Sequence, residues 1–283
     1  MIQLRDYQQE AAIQGIEILN RFKILILNYE VRTGKTHIAL HIAKRYKNVL
    51  FVTKKKAISS IENDYKNAEH SFNITIINYE SLHKISGCFD LVIVDESHSI
   101  GAYPKPSKRT KQLKTLVQND LILLTGTLMP ESNSQIYHQL WISNYSPFKD
   151  YANFYKFFND YGIPEIIYTT YGQSKSYKNL PYDCISSKIE PIKLSKTQSE
   201  IGFKSSISEN FLYAEKKKKT LQIIKQLKKD LVVQGKQEVI LADTPVKLMQ
   251  KVHQLSSGTI KFESGNSAVL DYSKAEFISQ HFQ

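Results

Sequence analysis

Five short apolar runs rich in β-branched side chains punctuate the first half of the chain: residues 22–27 (FKILIL), 49–53 (VLFVT), 74–78 (ITIIN), 91–94 (LVIV) and 121–125 (LILLT). Runs this short and this continuously apolar suit strands buried on both faces, because a strand covered on one side alone alternates apolar with polar residues. The segments between them have helical length and mixed polarity, as at residues 37–46 and 58–68. The repeated unit is therefore strand, helix, strand, and the fold it predicts is α/β, a parallel central sheet with helices on both faces. A chain of 283 residues, 41% of them hydrophobic, can fill such a core. In sheets of this kind ligands sit beyond the carboxyl ends of the strands, so the polar clusters at those ends are where chemistry is to be sought.

The first cluster is Gly34-Lys35-Thr36, which follows the FKILIL run after a short loop and opens the helical stretch THIALHIAKRY. Strand, loop and helix in that order form the context of a phosphate-binding loop. Backbone amides and the helix N-terminus would face a polyphosphate, Lys35 would neutralise its outer charges, and Thr36 would offer a hydroxyl to Mg²⁺. Tyr29 stands where the first glycine of such a loop is expected and Arg32 adds bulk, so the tripeptide alone reads equally as an incidental loop. The second cluster is FDLVIVDESH, residues 89–98. Its strand would deliver Asp95 to hold Mg²⁺ and Glu96 to orient and deprotonate a water. Alone, such acids would serve as a turn or a helix cap; after a GKT loop and further strands, the catalytic reading is favoured.

Asp95-Glu96-Ser97-His98 resembles the DExH box of superfamily 2 helicases, most of all the Swi/Snf-type DNA translocases and their phage relatives. Residues 4–11 (LRDYQQEA) resemble that family's LRxYQ motif, in which Gln8 matches the glutamine that reads adenine. Residues 30–36 (EVRTGKT) resemble the family's own phosphate loop, which carries Glu at that place and dispenses with the first glycine; Arg32 departs from a common glycine. The resemblance implies a RecA-like P-loop domain with ATP contacts from Arg5, Gln8, Glu30, Arg32, Thr33, Gly34, Lys35, Thr36 and His37. It implies Mg²⁺ held by Thr36 and Asp95, and catalysis by Lys35, Asp95, Glu96 and His98. Residues 49–56 (VLFVTKKK) and 77–83 (INYESLH) resemble nucleic-acid-contacting segments, which would put Thr53, Lys54, Asn78 and Tyr79 on the bound strand. Residues 124–130 (LTGTLMP) resemble the SGTP motif that couples nucleotide state to DNA contact, through Thr125, Gly126 and Thr127, with His98 linking the DExH segment to Thr125.

Beyond these motifs the chain carries 38 Lys+Arg against 27 Asp+Glu, a formal charge of +11, which favours a polyanionic partner; with the resemblance, that partner is expected to be double-stranded DNA. The aromatic-rich residues 145–171 are expected mainly to fill the core rather than stack on bases, and residues 189–194 (IEPIKL) to form a last strand. Four consecutive lysines, 216–219, open a basic helical stretch to residue 233 that is expected to be a solvated face, and residues 246–255 an amphipathic helix. Cys88 and Cys184 have no pairing or metal-ligand spacing, so reduced thiols in the cytoplasm of a bacterial or phage-infected cell are expected. No apolar run approaches the ~20 residues of a membrane span.

The organisation expected is an ATP-binding lobe over residues 1–190 and a mainly helical extension over 191–283. Residues 271–274 (DYSK) resemble the lead-in to the family's second RecA-like lobe, and nothing in the sequence corresponds to that lobe or its arginine. The expectation is one lobe of a DNA-dependent ATPase, weak or inactive until a second lobe in the same longer chain or in trans completes it. Two alternatives stay open: a nucleic-acid-binding scaffold with a vestigial nucleotide site, and the motor lobe of a restriction or nuclease complex, for which the sequence holds no nuclease-like cluster.

Overall fold

The computed structural model describes residues 4–67, 72–169, 172–202, 210–235 and 238–282. The chain divides into two compact units, Met1–Ser205 and Ser206–Gln283.

The first unit runs α1 (Asp6–Phe22), β1 (Ile24–Tyr29), α2 (Lys35–Ala43), β2 (Asn48–Thr53), α3 (Ile58–Asn67), β3 (Asn73–Asn78), β4 (Leu91–Asp95), α4 (Lys108–Leu116) and β5 (Asp120–Thr125). It continues through α5 (Gln135–Trp141), α6 (Phe154–Tyr161), the hairpin strands β6 (Glu165–Thr169) and β7 (Gly172–Ser176), α7 (Asp183–Ile189) and β8 (Lys193–Lys196). The five apolar runs supply β1 to β5 with shifts of at most two residues at either end. Of the IEPIKL stretch, Glu190–Ile192 is a 3-10 turn and the strand begins only at Lys193. The sheet order is β3-β2-β4-β5-β1-β8 and every neighbouring pair is parallel.

Because side chains alternate along a strand, one apolar run feeds two cores. Ile24, Ile26, Leu50, Val52, Val92, Val94, Leu121 and Leu123 point into one core, completed by Leu113, Ile136, Tyr137, Phe154, Phe157, Phe158 and Ile185 from the later helices. Leu25, Leu27, Val49, Phe51, Leu91, Ile93, Ile122 and Leu124 point into the other, against Ala11, Ala12, Leu19, Ile38, Ala39 and Ile42 of α1 and α2. Helices thus cover both faces, and a one-residue slip of any central strand would exchange its two sets of side chains. The aromatic segment packs as expected, with Phe148, Phe157, Phe154 and Phe158 buried and each ring in contact with the next in that order.

The second unit is built of α8 (Lys218–Asp230), the antiparallel pair β9 (Val232–Gln234) and β10 (Val239–Leu241), α9 (Pro245–Ser256), the antiparallel pair β11 (Thr259–Lys261) and β12 (Ser267–Val269), and α10 (Ser273–His281). Leu227, Ile240, Ala242, Leu255 and Ile260 form its core. Asp271 ties the beginning of α8 to the beginning of α10, accepting from the Lys217 amide (2.9 Å), Thr220 Oγ1 (2.8 Å) and the Ser273 amide (2.9 Å). Lys217, Lys218 and Lys219 are exposed, in keeping with a solvated face. Among the described residues no helix is long and apolar enough to cross a membrane.

One buried titratable group of the first unit gives its stability a pH signature. His138 is 3% exposed, donates Nδ1–H to the Ala102 carbonyl at 2.6 Å and stacks on Phe154. Burial pushes its pKa down from 6.5 to about 4. The unfolded chain therefore binds the extra proton between those values, and stability falls as pH drops from about 6.5 to about 4, by something on the order of 3 kcal/mol. Chemical denaturation across that range checks it: His138→Gln should flatten this part of the profile, and an unchanged slope would show that another group carries it.

Candidate nucleotide site

The residues singled out in the sequence gather at the carboxyl ends of β1 to β5 and at the start of α1. Between Tyr29 and Lys35 the chain turns through two left-handed residues, Arg32 (φ 64°) and Gly34 (φ 80°), so that α2 begins at Lys35. Gly34 is required twice over. Its φ is unfavourable to any side chain, and a Cβ there would stand 2.1 Å from Gln8 Nε2. That contact exists because α1 lays Gln8 on the loop: Gln8 is buried, donates Nε2–H to the Thr33 carbonyl (3.2 Å) and accepts the Arg5 amide on Oε1 (3.0 Å). Tyr7 donates its hydroxyl to the same Thr33 carbonyl at 2.9 Å, and the buried Thr33 donates its own hydroxyl to the Glu30 carbonyl at 2.7 Å.

The Lys35 ammonium donates to the Tyr29 carbonyl (2.6 Å) and the Glu30 carbonyl (3.0 Å). Burial holds its pKa below the ordinary lysine value, while the carboxylates of Glu96, Asp95 and Glu30 pull in the opposite direction. Lys35 and the acid pair therefore share one locality although about sixty residues separate them in the chain. Thr36 and His37 are half-buried on the first turn of α2.

A residue the sequence reading left without a role holds the other side of the loop. Gln198, just past β8, donates its amide to Glu30 Oε2 and its Nε2–H to the Val31 carbonyl, both at 2.8 Å. The Glu30 amide donates to the Lys196 carbonyl at 3.1 Å, which extends the β1–β8 pairing into the loop. No local pattern announces Gln198; its partners are 168 and 167 residues away.

Asp95 ends β4, half-buried between Thr53, which donates its hydroxyl to Oδ2 (2.7 Å), and the Glu96 amide, which donates to Oδ1 (3.0 Å). Burial raises its pKa, the Thr53 hydrogen bond opposes the rise and the neighbouring Glu96 charge adds to it. Glu96 itself is left-handed (φ 52°), the kind of backbone outlier that concentrates at functional sites. Its Oε2 lies 3.3 Å from His98 Nδ1, and the same nitrogen lies 3.3 Å from Thr125 Oγ1. Thr125 spends its proton on the Thr127 carbonyl (2.8 Å) and accepts the Thr127 amide (3.1 Å), so it can only accept from His98. The network places the proton on Nδ1. Gly126 sits beside the phosphate loop, a Cβ there coming 3.6 Å from Val31 Cγ1.

Two of the four residues expected on nucleic acid are interior. Thr53 is 0% and Tyr79 2% exposed: the register of β2 with β4 turns Thr53 toward the end of β4, and Tyr79, opening the turn after β3, donates its hydroxyl to the Asp95 carbonyl there. Lys54 is exposed, and the half-buried Asn78 uses Oδ1 to cap the Ser81 amide (2.9 Å).

Asp95 and Thr36, one carboxylate and one hydroxyl, are hard oxygen donors of the kind a magnesium ion takes. Among the described residues no group of three or more His, Cys, Asp and Glu could hold a metal by itself, and a magnesium ion that completes its shell with phosphate and water needs none.

No protein-family model and no curated protein matches the chain. Solved structures do. The SWI2/SNF2 ATPase core of Sulfolobus solfataricus in complex with double-stranded DNA superposes with a TM-score of 0.55 at 16% identity, over 81% of this chain and 53% of that one. The same organism's SWI2/SNF2 ATPase core domain gives 0.55 at 14% identity, over 90% of this chain and 57% of the other. The fold is RecA-like. The chain spans a little over half the length of these two RecA-like structures.

Gly34→Ala tests the loop's construction. A side chain at that φ costs about 1–2 kcal/mol before any clash with Gln8 is counted, so the denaturation midpoint should fall visibly. An unchanged midpoint would mean that Gln8 does not hold the loop as described.

Proposed function

We propose that this chain is the ATP-binding lobe of a DNA-dependent ATPase of the translocase kind, active when a second RecA-like lobe completes it. What supports the reading is a glycine-turned loop at a helix N-terminus whose Lys35 lies within electrostatic reach of Asp95 and Glu96 at the end of β4. Similarity of fold to SWI2/SNF2 ATPase cores, one of them bound to double-stranded DNA, supports it, as does the net charge of +11.

In this reading Gln8 reads the adenine edge, and the amides of residues 33–36 with Lys35 neutralise the phosphates. Thr36 and Asp95 would hold Mg²⁺, which would neutralise charge on the phosphates when bound. Glu96 accepts a proton from the attacking water, and His98 keeps that carboxylate in place and ties it to Thr125. Hydrolysis by a lone lobe is slow because the arginine that stabilises transition-state charge in related enzymes, worth about 10³–10⁵ in rate, comes from elsewhere. Exposed Lys54 and the loop at Asn78 meet the DNA backbone.

Titrating labelled Mg-ATP against the chain tests the site. Lys35→Ala should weaken binding by about tenfold or more, because it removes a desolvated charge facing phosphate. Glu96→Gln should leave binding intact and abolish hydrolysis in the protein completed by its second lobe. Equal nucleotide affinity of the Lys35→Ala variant and the wild type would sink the assignment and favour a scaffold whose nucleotide site is vestigial.

A further inference from the structure

Two surface loops and one half-buried acid are wired together in the first unit. Lys54 is the first exposed residue after β2, and the residue immediately before it, Thr53, gives its hydroxyl to the Asp95 carboxylate at 2.7 Å. Asn78 ends β3, and the residue immediately after it, Tyr79, gives its hydroxyl to the Asp95 backbone carbonyl. That carbonyl belongs to the peptide whose amide is Glu96's own. One loop therefore grips the side chain of the metal-holding acid, and its neighbour grips the peptide that aims the candidate general base.

A third surface group leans on the same device. The Arg109 guanidinium, with its side chain 47% exposed, stands 6.0 Å from the centre of the Tyr79 ring and 3.8 Å from Glu80 Oε1. Lys54 and Arg109 offer positive charge to a phosphate backbone, and each is one covalent or one ring contact away from a hydroxyl bonded to Asp95. Thr53 and Tyr79 are buried, so neither hydroxyl can exchange its protein partner for water without cost, and a displacement of either loop is felt at Asp95.

We propose that Thr53 and Tyr79 are positioning residues that transmit double-stranded DNA engagement at Lys54, Asn78 and Arg109 to Asp95 and Glu96, so that DNA and Mg-ATP bind with positive coupling within this single unit. The proposal rests on the nucleotide and DNA reading above and adds to it a route that needs no second lobe. Coupling of this kind is reciprocal: whatever factor DNA contributes to nucleotide affinity, nucleotide contributes to DNA affinity.

The experiment measures, on the full chain, the dissociation constant of a labelled non-hydrolysable Mg-ATP analogue with and without saturating duplex DNA, and that of the duplex with and without the analogue. Wild type should show the same ratio in both directions, in the roughly 5- to 150-fold range of ordinary coupling. Tyr79→Phe and Thr53→Val remove one hydroxyl each; Tyr79→Phe should bind each ligand alone within about threefold of wild type, Thr53→Val should weaken analogue binding alone because it strips a donor from Asp95, and in both the ratio should collapse toward one. Thr53→Ser, which restores the hydroxyl, should restore the ratio, and this pair decides the matter should Tyr79→Phe fail to fold. Lys54→Ala should weaken DNA binding alone and leave nucleotide binding alone untouched. A ratio preserved in Thr53→Val, or a wild type that binds both ligands without coupling, overturns the proposal and leaves the nucleotide site standing. Wild type and Lys35→Ala binding the analogue equally would instead remove the nucleotide reading, and this proposal with it.

Discussion

A carboxylate at the end of a buried strand has lost most of its water and must recover those hydrogen bonds from the protein, or else stay protonated. Asp95 recovers two, from the Thr53 hydroxyl and the Glu96 amide, and lies within electrostatic reach of Lys35, whose own charge is disfavoured by burial. Neither charge is comfortable alone. Each makes the other tolerable, and the pair stands open to a ligand that could satisfy both, an anion for the ammonium and a cation for the carboxylate. The geometry around them serves this arrangement: a strand on either side of β4 fixes where Asp95 emerges, and a left-handed Glu96 turns the next side chain toward His98.

What makes that emergence reproducible is the sheet beneath it. The central strands send alternate residues into two separate cores, so register is enforced on both faces at once. Thr53 opposite Asn78 and Val52 opposite Val94 are consequences of this enforcement, and the Thr53–Asp95 hydrogen bond follows from them. The hydrophobic pattern is thus one step removed from the chemistry: it sets register, register sets which strand ends are neighbours, and neighbours set the charge environment of Asp95.

The same chain of causes separates what the sequence makes legible from what it hides. Apolar runs announce β1, β2, β4 and β5 because a strand buried on both faces has little other composition available, whereas β3, half-buried at the sheet edge, is announced by its β-branched residues. Gly34 and Lys35 are legible because backbone geometry and phosphate chemistry restrict what can stand there. Thr53 and Tyr79, expected on the bound strand, lie inside for different reasons: the β2–β4 register turns the last residue of β2 inward, and Tyr79, in the turn after β3, reaches the Asp95 carbonyl with its hydroxyl. Gln198 is invisible for a different reason, since its two hydrogen bonds depend on β8 joining the sheet beside β1, a long-range pairing no local pattern encodes. In the second unit the strands are three residues long, too short for any periodicity to register, so the helical stretch expected to run to residue 233 ends at Asp230 and its last residues belong to β9.

The loop itself carries an argument about its own readiness. Its carbonyls at Tyr29 and Glu30 accept from Lys35, its Thr33 carbonyl accepts from Tyr7 and Gln8, and its Glu30 and Val31 are held by Gln198. The Thr33 and Val31 carbonyls are therefore committed to Tyr7, Gln8 and Gln198, and only those of Tyr29 and Glu30 hold the ammonium. A phosphate entering here meets donors without having to break the clasp at Gln8 or Gln198; it displaces only the two bonds of Lys35, whose flexible side chain can swing to follow the stronger charge. Rigidity in the backbone and mobility in one side chain are the division of labour that an anion site needs, because the donors then lose little freedom when the ligand arrives.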